Sequence, residues 1–174
     1  MTKIEANPIY YEYIQEHIKN VQTIWQTILC TPSAMEFVDA PSIICISELI
    51  KEHDRSKFSK REFDGYRQWF CPIDNEKKDL NLFNTAWNHH QKHNPHHWEY
   101  WVLFNSKQIT LLDMPFKYIM KMLCDWSAMS LKFKDTPTEF YNKTLIMLSD
   151  WTRDKVKEWL PIFDNIVKGI NNAH

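Results

Sequence analysis

The sequence predicts an all-α protein that folds as one domain over residues 1–174. Apolar side chains recur every three to four residues along much of the chain, which is the pattern of amphipathic helices. Only two glycines are present, Gly65 and Gly169, whereas folds rich in tight β-turns use many. A length of 174 residues, of which 44% are hydrophobic, is enough to bury one large core. We therefore expect a single bundle of about seven helices.

Helical patterns account for most of the first half of the chain. Apolar spacing predicts one helix from Pro8 to Leu29 and a second from Ser42 to Glu52. Ser59, with Glu62 three residues later, matches the capping-box pattern and predicts the start of a third helix. Leu80 to His93 again shows helical spacing.

A helix break at Asn94-Pro95 opens the second half, because Asn is a good N-cap and Pro suits the first helical position. A short helix from His96 to Phe104 is therefore predicted. The segment 113–115 restarts the chain in the same way, ahead of another apolar helical pattern. Two further helices are predicted at 138–148 and 151–170.

Composition excludes several classes of protein. A net charge of -1 offers no basic face for a long nucleic acid, and two glycines exclude glycine-rich phosphate loops and dinucleotide fingerprints. No apolar run reaches the roughly 18 residues that span a membrane. The N-terminus resembles no signal peptide, and the four scattered cysteines indicate reduced core thiols. We expect a cytoplasmic protein; the sequence leaves its oligomeric state open.

Histidine placement is the most informative local feature. Five of the eight histidines fall within residues 89–97, and another is followed directly by a carboxylate in His53-Asp54. Imidazole and carboxylate are ligands of divalent first-row metals, and so many histidines disfavour Mg²⁺. The pattern predicts a buried site for one or two ions of Mn, Fe, Co, Ni or Zn.

Chain order suggests how the ligands divide between two ions. His53 and Asp54 lie near a predicted helix end, where neighbouring side chains can share one ion, and the two oxygens of Asp54 can also bridge two ions. His17 and Asp125, on other helices, could complete the first ion, and the histidine cluster could supply the second. Asp125 lies among apolar residues, where an unpaired carboxylate is costly.

Other interpretations of the same residues remain open. His17 could be a hydrogen-bonded core imidazole, and His53-Asp54 could be a pair that stabilises a loop. Between His89 and His90, the second is favoured because it continues the apolar face of its helix. Between His96 and His97 the choice stays open, with His96 the better candidate for a ligand.

This order of residues resembles the HD-domain phosphohydrolase superfamily, an all-helical family with ligands in the order H, HD, H, H, D. Here the order is His17, His53-Asp54, one or two of the clustered histidines, and Asp125. The segment 53–57 also looks like the superfamily's H-D-x-x-K form, in which the lysine contacts substrate phosphate; that lysine is Lys57. The resemblance implies an HD-like bundle around a buried metal site.

The chain looks still closer to a small group of bacterial and phage proteins with the motifs H-D-x-S-K, A-W-x-x-H, H-H-W-x-Y-W, M-P and D-W. In this sequence the motifs fall at 53–57, 86–101, 114–115 and 125–126. One departure from HD proteins is that the middle histidines lie within nine residues of one another. The break at Asn94-Pro95 must therefore separate them onto two elements.

The resemblance implies a metal-dependent phosphohydrolase that attacks a phosphate ester, a nucleotide or cyclic nucleotide, through a metal-activated water. Lys57 would neutralise charge in the transition state, and His93 or His97 would protonate the leaving oxygen. The implied ligands of the first metal are His17, His53, Asp54 and Asp125, and those of the second are Asp54, His90 and His96.

Two alternatives belong to other functional classes. Some HD relatives use a di-iron pair to activate oxygen, and in such an enzyme Lys57 would have no phosphate to meet. A third interpretation is a non-catalytic module stabilised by metal, such as a phage protein that sequesters a nucleotide or blocks a host protein. Bound iron would favour the oxygenase. Phosphatase activity with Mn, Co or Ni would favour the hydrolase, and absence of metal would favour the non-catalytic module.

Overall fold

The computed structural model describes the backbone of residues 3–173 and the side chains of residues 7–173. The protein is 72% helical, which confirms the all-α prediction, and the described residues form eight α-helices. The helices are α1 Lys3–Leu29, α2 Pro32–Met35, α3 Ala40–Lys51, α4 Lys60–Phe70, α5 Leu80–His93, α6 Phe116–Phe133, α7 Pro137–Lys143 and α8 Asp150–Asn172. Two 3₁₀ turns, Arg55–Phe58 and Trp98–Trp101, and the antiparallel strands β1 Val102–Phe104 and β2 Ile109–Leu111 complete the fold.

Side chains at the helix starts satisfy backbone N–H groups that have no partner inside the helix. Asp39 accepts a hydrogen bond from the N–H of Ser42 at the start of α3, and Asp79 accepts from two N–H groups at the start of α5. Thr136 and Glu139 form a reciprocal capping box at the start of α7. Local sequence therefore determines where these helices begin.

The capping box predicted at Ser59 is wrong. Ser59 is the N-cap of α4, but its side chain makes no capping hydrogen bond. Glu62, the other half of the proposed box, is fully buried and turns inward toward histidines of α5. Charged hydrogen bonds to imidazole hold this carboxylate more strongly than a bond to one backbone N–H.

The short helix predicted from His96 to Phe104 is also wrong. Only one 3₁₀ turn forms, and the chain then enters β1, where Val102 pairs with Leu111. The turn between the strands is stabilised by Asn105, whose side chain accepts hydrogen bonds from the N–H groups of Lys107 and Gln108. The strand forms because its partner lies further along the chain, which helical spacing cannot reveal.

The side chains that the structure describes form two apolar core clusters. The larger one surrounds α6, which packs against α1, α3, α7 and α8. The smaller one joins the N-terminal half of α1 to α4 and α5, through Tyr10, Ile14, Tyr66 and Ala86. On α1, His17 lies between Ile14 of the smaller cluster and Val21 of the larger.

A close approach of α4 to α5 depends on Gly65. A Cβ at this position would lie 2.8 Å from the Cβ of Ala86 and 2.8 Å from the carbonyl oxygen of Leu82. Real side chains do not tolerate such distances, so glycine is needed for these two helices to touch. The contact lies about one helical turn from Glu62 on α4 and His90 on α5, and it brings those two residues together.

The cysteines only partly match the prediction of buried thiols. All four are free, and Cys124 is buried in the core, but Cys30 and Cys45 are exposed. Cys30 follows the last turn of α1, and Cys45 lies on the solvent face of α3. Within residues 3–173, no helix combines the length and the apolar character needed to cross a membrane.

Candidate metal centre

Two helices and the turn after a third helix bring the first group of ligands together. His17 projects from α1, His53 lies two residues beyond the end of α3, and Asp125 projects from α6. The Nε2 atoms of His17 and His53 are 3.2 Å apart, and Asp125 Oδ1 lies 2.9 Å from His17 Nε2 and 3.6 Å from His53 Nε2. Three residues from distant parts of the sequence therefore direct nitrogen and oxygen atoms at one point.

Asp54 lies between this group and a second one. Its Oδ2 is 3.6 Å from His17 Nε2 and 3.5 Å from His53 Nε2. Its Oδ1 is 3.3 Å from His90 Nε2 and 3.5 Å from His96 Nε2. The two oxygens of one carboxylate thus face two separate sets of imidazoles, as a bridging ligand would.

The backbone at Asp54 is unusual and helps to place this side chain. Its φ is 53°, in the left-handed region that non-glycine residues seldom adopt, although Asp tolerates it better than most. The next residues form a 3₁₀ turn in which the N–H of Lys57 donates to the Asp54 carbonyl at 2.9 Å. This turn directs the Asp54 carboxylate into the protein, where it is 1% exposed.

The second group contains Asp54, His90, His96 and His97. Asn94 ends α5, because its backbone is extended and Pro95 follows, so His90 and His96 approach from two different elements. The ring centroids of His96 and His97 are 4.3 Å apart. The structure therefore brings His90, rather than His89, to this group, and it brings both His96 and His97.

The distances within both groups fit a metal ion. Ligand atoms about 2.1 Å from one ion lie roughly 3.0–3.4 Å apart at octahedral or tetrahedral angles. The separations around Asp54, 3.3–3.6 Å, lie at the upper end of this range or slightly above it. Among the buried atoms that have no hydrogen-bond partner within the described residues are Asp54 Oδ1 and the Nε2 atoms of His90, His96 and His97. Buried polar atoms without partners are costly, and a cation would satisfy them. These residues could hold a metal.

Electrostatics keeps several of these side chains in the state that binds metals. Burial disfavours the charged form of Asp54, but the imidazoles of His53 and His90 and the ammonium of Lys57 hold its pKa well below the usual range. Burial lowers the pKa of His53, and it lowers the pKa of His96 to about 3. Near neutral pH the carboxylate is therefore ionised and these two imidazoles carry a free lone pair.

Glu62 supports the second group and was missed as a functional residue. Its oxygens lie 2.8 Å from His90 Nδ1 and 2.7 Å from His89 Nδ1, and Ser56 Oγ donates to it at 2.9 Å. Burial raises its pKa, but hydrogen bonds and charge from His90 and His89 outweigh that effect and lower it. Since an ionised carboxylate only accepts, Nδ1 of His90 carries a proton, and Nε2 is the atom that faces Asp54 Oδ1. Burial lowers the pKa of His90, but Asp54 and Glu62 outweigh burial and raise it, so a metal at Nε2 would bind in competition with a proton.

Lys57 lies at the edge of the first group. Its ammonium donates to Asp54 Oδ2 and lies 5.5 Å from the centroid of the Tyr66 ring. Burial lowers its pKa, but the carboxylates of Asp54 and Asp125 outweigh burial and raise it, so the group stays cationic. The structure thus places a positive charge directly beside the proposed bridging ligand.

The structure does not bring His93 to the cluster. Its side chain is exposed, its Nδ1 lies 2.8 Å from the His89 carbonyl oxygen, and its ring stacks on that of His89 at 4.0 Å. His89 and His93 are four residues apart, so they lie one above the other on α5, on a different face from the one that carries His90. His97, the other residue predicted to donate a proton, belongs to the second ligand group, and its Nε2 is buried.

A cavity of about 370 Å³ opens onto the centre. His17, Lys57, His97 and Asp125 lie on its wall, so it reaches the first group, the second group and the lysine. This volume is near the lower end of the roughly 300–1,000 Å³ found for small-molecule sites. Trp98 also lines the cavity, whereas Trp101 packs against the core and donates its indole N–H to the Pro95 carbonyl oxygen at 2.8 Å.

Comparisons with known proteins give one result for this chain. Searches of curated proteins and of solved structures each find no significant match. A family model described as a family of unknown function, DUF5662, matches residues 7–162. That range contains every residue of the two ligand groups as well as Lys57 and Glu62. Because the match covers most of the sequence, the chain belongs to the DUF5662 family.

Proposed function

We propose that this protein is a metal-dependent phosphohydrolase of the HD type, which hydrolyses a phosphate ester such as a nucleotide or cyclic nucleotide. The observation that carries the proposal is the position of Asp54 between two groups of buried imidazoles. Two ions bridged by one carboxylate form a clamp suited to displacement at phosphorus. The chain order of the ligands, which resembles HD proteins, supports the same conclusion.

The side chains around the cavity have separate tasks in this reaction. A divalent ion bound at either group would supply an acidified water near neutral pH and a charge opposite the phosphate. The ammonium of Lys57, on the cavity wall, would stabilise negative charge on the phosphoryl oxygens. His97 also lies on the wall, and its buried Nε2 has no hydrogen-bond partner within the described residues. Burial lowers the pKa of this imidazole well below its usual range, so Nε2 would be free to bind metal or to accept a proton.

Lys57 favours phosphate chemistry over oxygen activation. A lysine that lines the cavity and contacts the bridging carboxylate gives an anionic substrate a counter-charge. Oxygen activation by a di-iron pair does not itself require a counter-charge for a phosphate. The buried, converging ligands also argue against a module that binds metal only for stability, since such a module needs no cavity at its metal.

Elemental analysis of the purified protein, followed by removal of metal with a chelator, tests the proposal. Reloading with Mn, Fe, Co, Ni or Zn separately should restore hydrolysis of p-nitrophenyl phosphate or of a nucleotide. His53→Ala should lose metal, whereas His93→Ala, a matched change at an exposed histidine, should retain it. Absence of metal from the wild-type protein, or full reloading without any phosphoester hydrolysis, would contradict the proposal.

A further inference from the structure

The walls of the cavity indicate what kind of phosphoester would fit. Ten of its nineteen lining residues are Phe, Tyr or Trp, among them Trp87, Trp98 and Trp126. Such a wall offers flat, apolar surface on more than one side, which suits an aromatic ring that can stack. A sugar phosphate without an aromatic group would leave most of this surface against water.

The charges on the wall limit how much negative charge a ligand can carry. Lys57 is the one lysine or arginine among the lining residues that the structure describes. Three carboxylates lie on the same wall: Asp125 in the first ligand group, and Glu99 and Asp135 outside both groups. Metal ions and Lys57 can balance one phosphate, but further phosphates would lie near the carboxylates of Glu99 and Asp135, of which Asp135 has an ion pair with Lys143 at 3.9 Å.

Buried polar atoms without partners point to the rest of the ligand. Glu99, Tyr66 and Ser130 line the cavity, and each has a buried side-chain oxygen that makes no hydrogen bond within the described residues. Tyr66 is 3% exposed and Ser130 is 1% exposed. An unsatisfied buried oxygen is costly, so a bound molecule that donates hydrogen bonds would be stabilised here. Glu99 is the strongest acceptor of the three.

We propose that this cavity binds a phosphate monoester that carries a flat aromatic ring with an amino group. The phosphate would lie at the two ligand groups and Lys57, and the amino group would donate a hydrogen bond to Glu99. An aminopurine or aminopyrimidine nucleoside monophosphate has this chemistry. The inference rests on the proposed function for its phosphate end. The assignment of an aromatic ring with an amino group depends on the cavity wall alone. This assignment and the proposed function can therefore fail separately.

A pair of nucleotides that differ by one amino group tests the assignment of Glu99. Adenosine 5′-monophosphate should be hydrolysed with kcat/KM about tenfold or more above purine riboside 5′-monophosphate, which lacks only the amino group. Adenosine di- and triphosphate should be poorer than the monophosphate by at least about tenfold. Equal rates for the nucleotides with and without the amino group, or a preference for triphosphate, would overturn the inference.

Variants separate recognition from a general loss of structure. Glu99→Met keeps the length of the side chain and removes the acceptor, so the preference for the amino group should fall to within about twofold while purine riboside monophosphate is still hydrolysed. Glu48→Met, at an exposed position on α3, is the matched control and should keep the preference. Unchanged selectivity in Glu99→Met would show that Glu99 does not contact the substrate.

A binding measurement distinguishes failure of this inference from failure of the proposed function. Isothermal titration of the metal-loaded protein with the same two monophosphates, followed also by tryptophan fluorescence, needs no turnover. Tighter binding of the amino-bearing nucleotide, lost in Glu99→Met, would support the cavity assignment even if no phosphoester is hydrolysed. Equal binding of the two nucleotides, or no binding of either, would overturn it.

Discussion

Glu62→Gln should weaken metal binding at one ligand group and spare the other. Glu62 contacts the Nδ1 atoms of His89 and His90, of which His90 belongs to the second group. Its hydrogen bonds do not reach His17 or His53 in the first group, within the described residues. Glutamine keeps the volume of the side chain but replaces one accepting oxygen with an NH₂ group, which is a donor. That donor would face the N–H of an imidazole ring or the Ser56 hydroxyl, so at least one hydrogen bond is lost.

The size of the effect follows from what this hydrogen bond does for His90. The carboxylate fixes the proton on Nδ1 and keeps Nε2 aimed at Asp54 Oδ1, 3.3 Å away. Loss of such a supporting partner weakens metal binding about 10- to 100-fold, which corresponds to about 1.4–2.7 kcal/mol. Binding at the second group should weaken by this amount, and binding at the first group should change less than about twofold, since Glu62 makes no hydrogen bond to His17, His53 or Asp125 within the described residues.

Calorimetric titration of chelator-treated protein with Mn²⁺ or Zn²⁺ resolves the two steps. Glu48→Gln, the same change at an exposed position, should leave both steps unaltered. Circular dichroism of each variant checks that the helices persist. A second step of unchanged affinity in Glu62→Gln would refute the supporting role, and equal weakening of both steps would refute the division into two ligand groups.

Three other contacts lead to further expectations. Asp54→Asn should weaken both binding steps and abolish turnover while the fold persists, as circular dichroism can verify; activity within about tenfold of wild type would exclude a bridge. Lys57→Ala should leave metal content unchanged and lower kcat on phosphoesters about 100-fold, so a silent variant in steady-state kinetics would argue against phosphate chemistry. Glu76 should stabilise the fold by about 1 kcal/mol, because its two hydrogen bonds from Arg67 lower its pKa from 4.5 to about 2. This contribution is present above pH 4.5 and is lost as the pH falls toward 2; thermal melts from pH 3 to 6 should therefore show a shallower pH dependence for Glu76→Gln, and parallel curves would contradict the argument.

Much of the candidate centre could be predicted because histidines and carboxylates are unusual at helix positions that are expected to be buried. Asp125 lies among apolar residues of α6, where a carboxylate without partners is costly, and the structure pairs it with His17. Asp54 has two acceptor oxygens, and each faces a different imidazole set. The sequence left His89 and His90 as alternatives, and the face of α5 that packs on α4 decides for His90.

What the sequence could not reveal are contacts between elements that are distant along the chain. Glu62 lies 28 residues before His90, and its spacing from Ser59 is typical of a helix cap. Local spacing cannot tell whether a side chain turns to its own backbone or to a neighbouring helix. The strand at Val102 was mistaken for helix for the same reason, since its partner Leu111 lies across a turn.

The charges of the centre favour a cation over an ordered water. Asp54 and Asp125 both have pKa values held well below the usual range, despite burial, by nearby imidazoles, so both are ionised. Among the described residues, Lys57 is the one lysine or arginine within 4.0 Å of either carboxylate. His53 and His96 have pKa values lowered by burial, so they contribute lone pairs and no positive charge near neutral pH. Nearby carboxylates raise the pKa of His90 despite burial, so Lys57 and His90 offset part of this negative charge. Buried charge that stays uncompensated costs several kcal/mol, and a water molecule does not neutralise it. A divalent ion would remove this cost and also bind the free lone pairs, so the charges and the donor atoms both favour a divalent ion at this site.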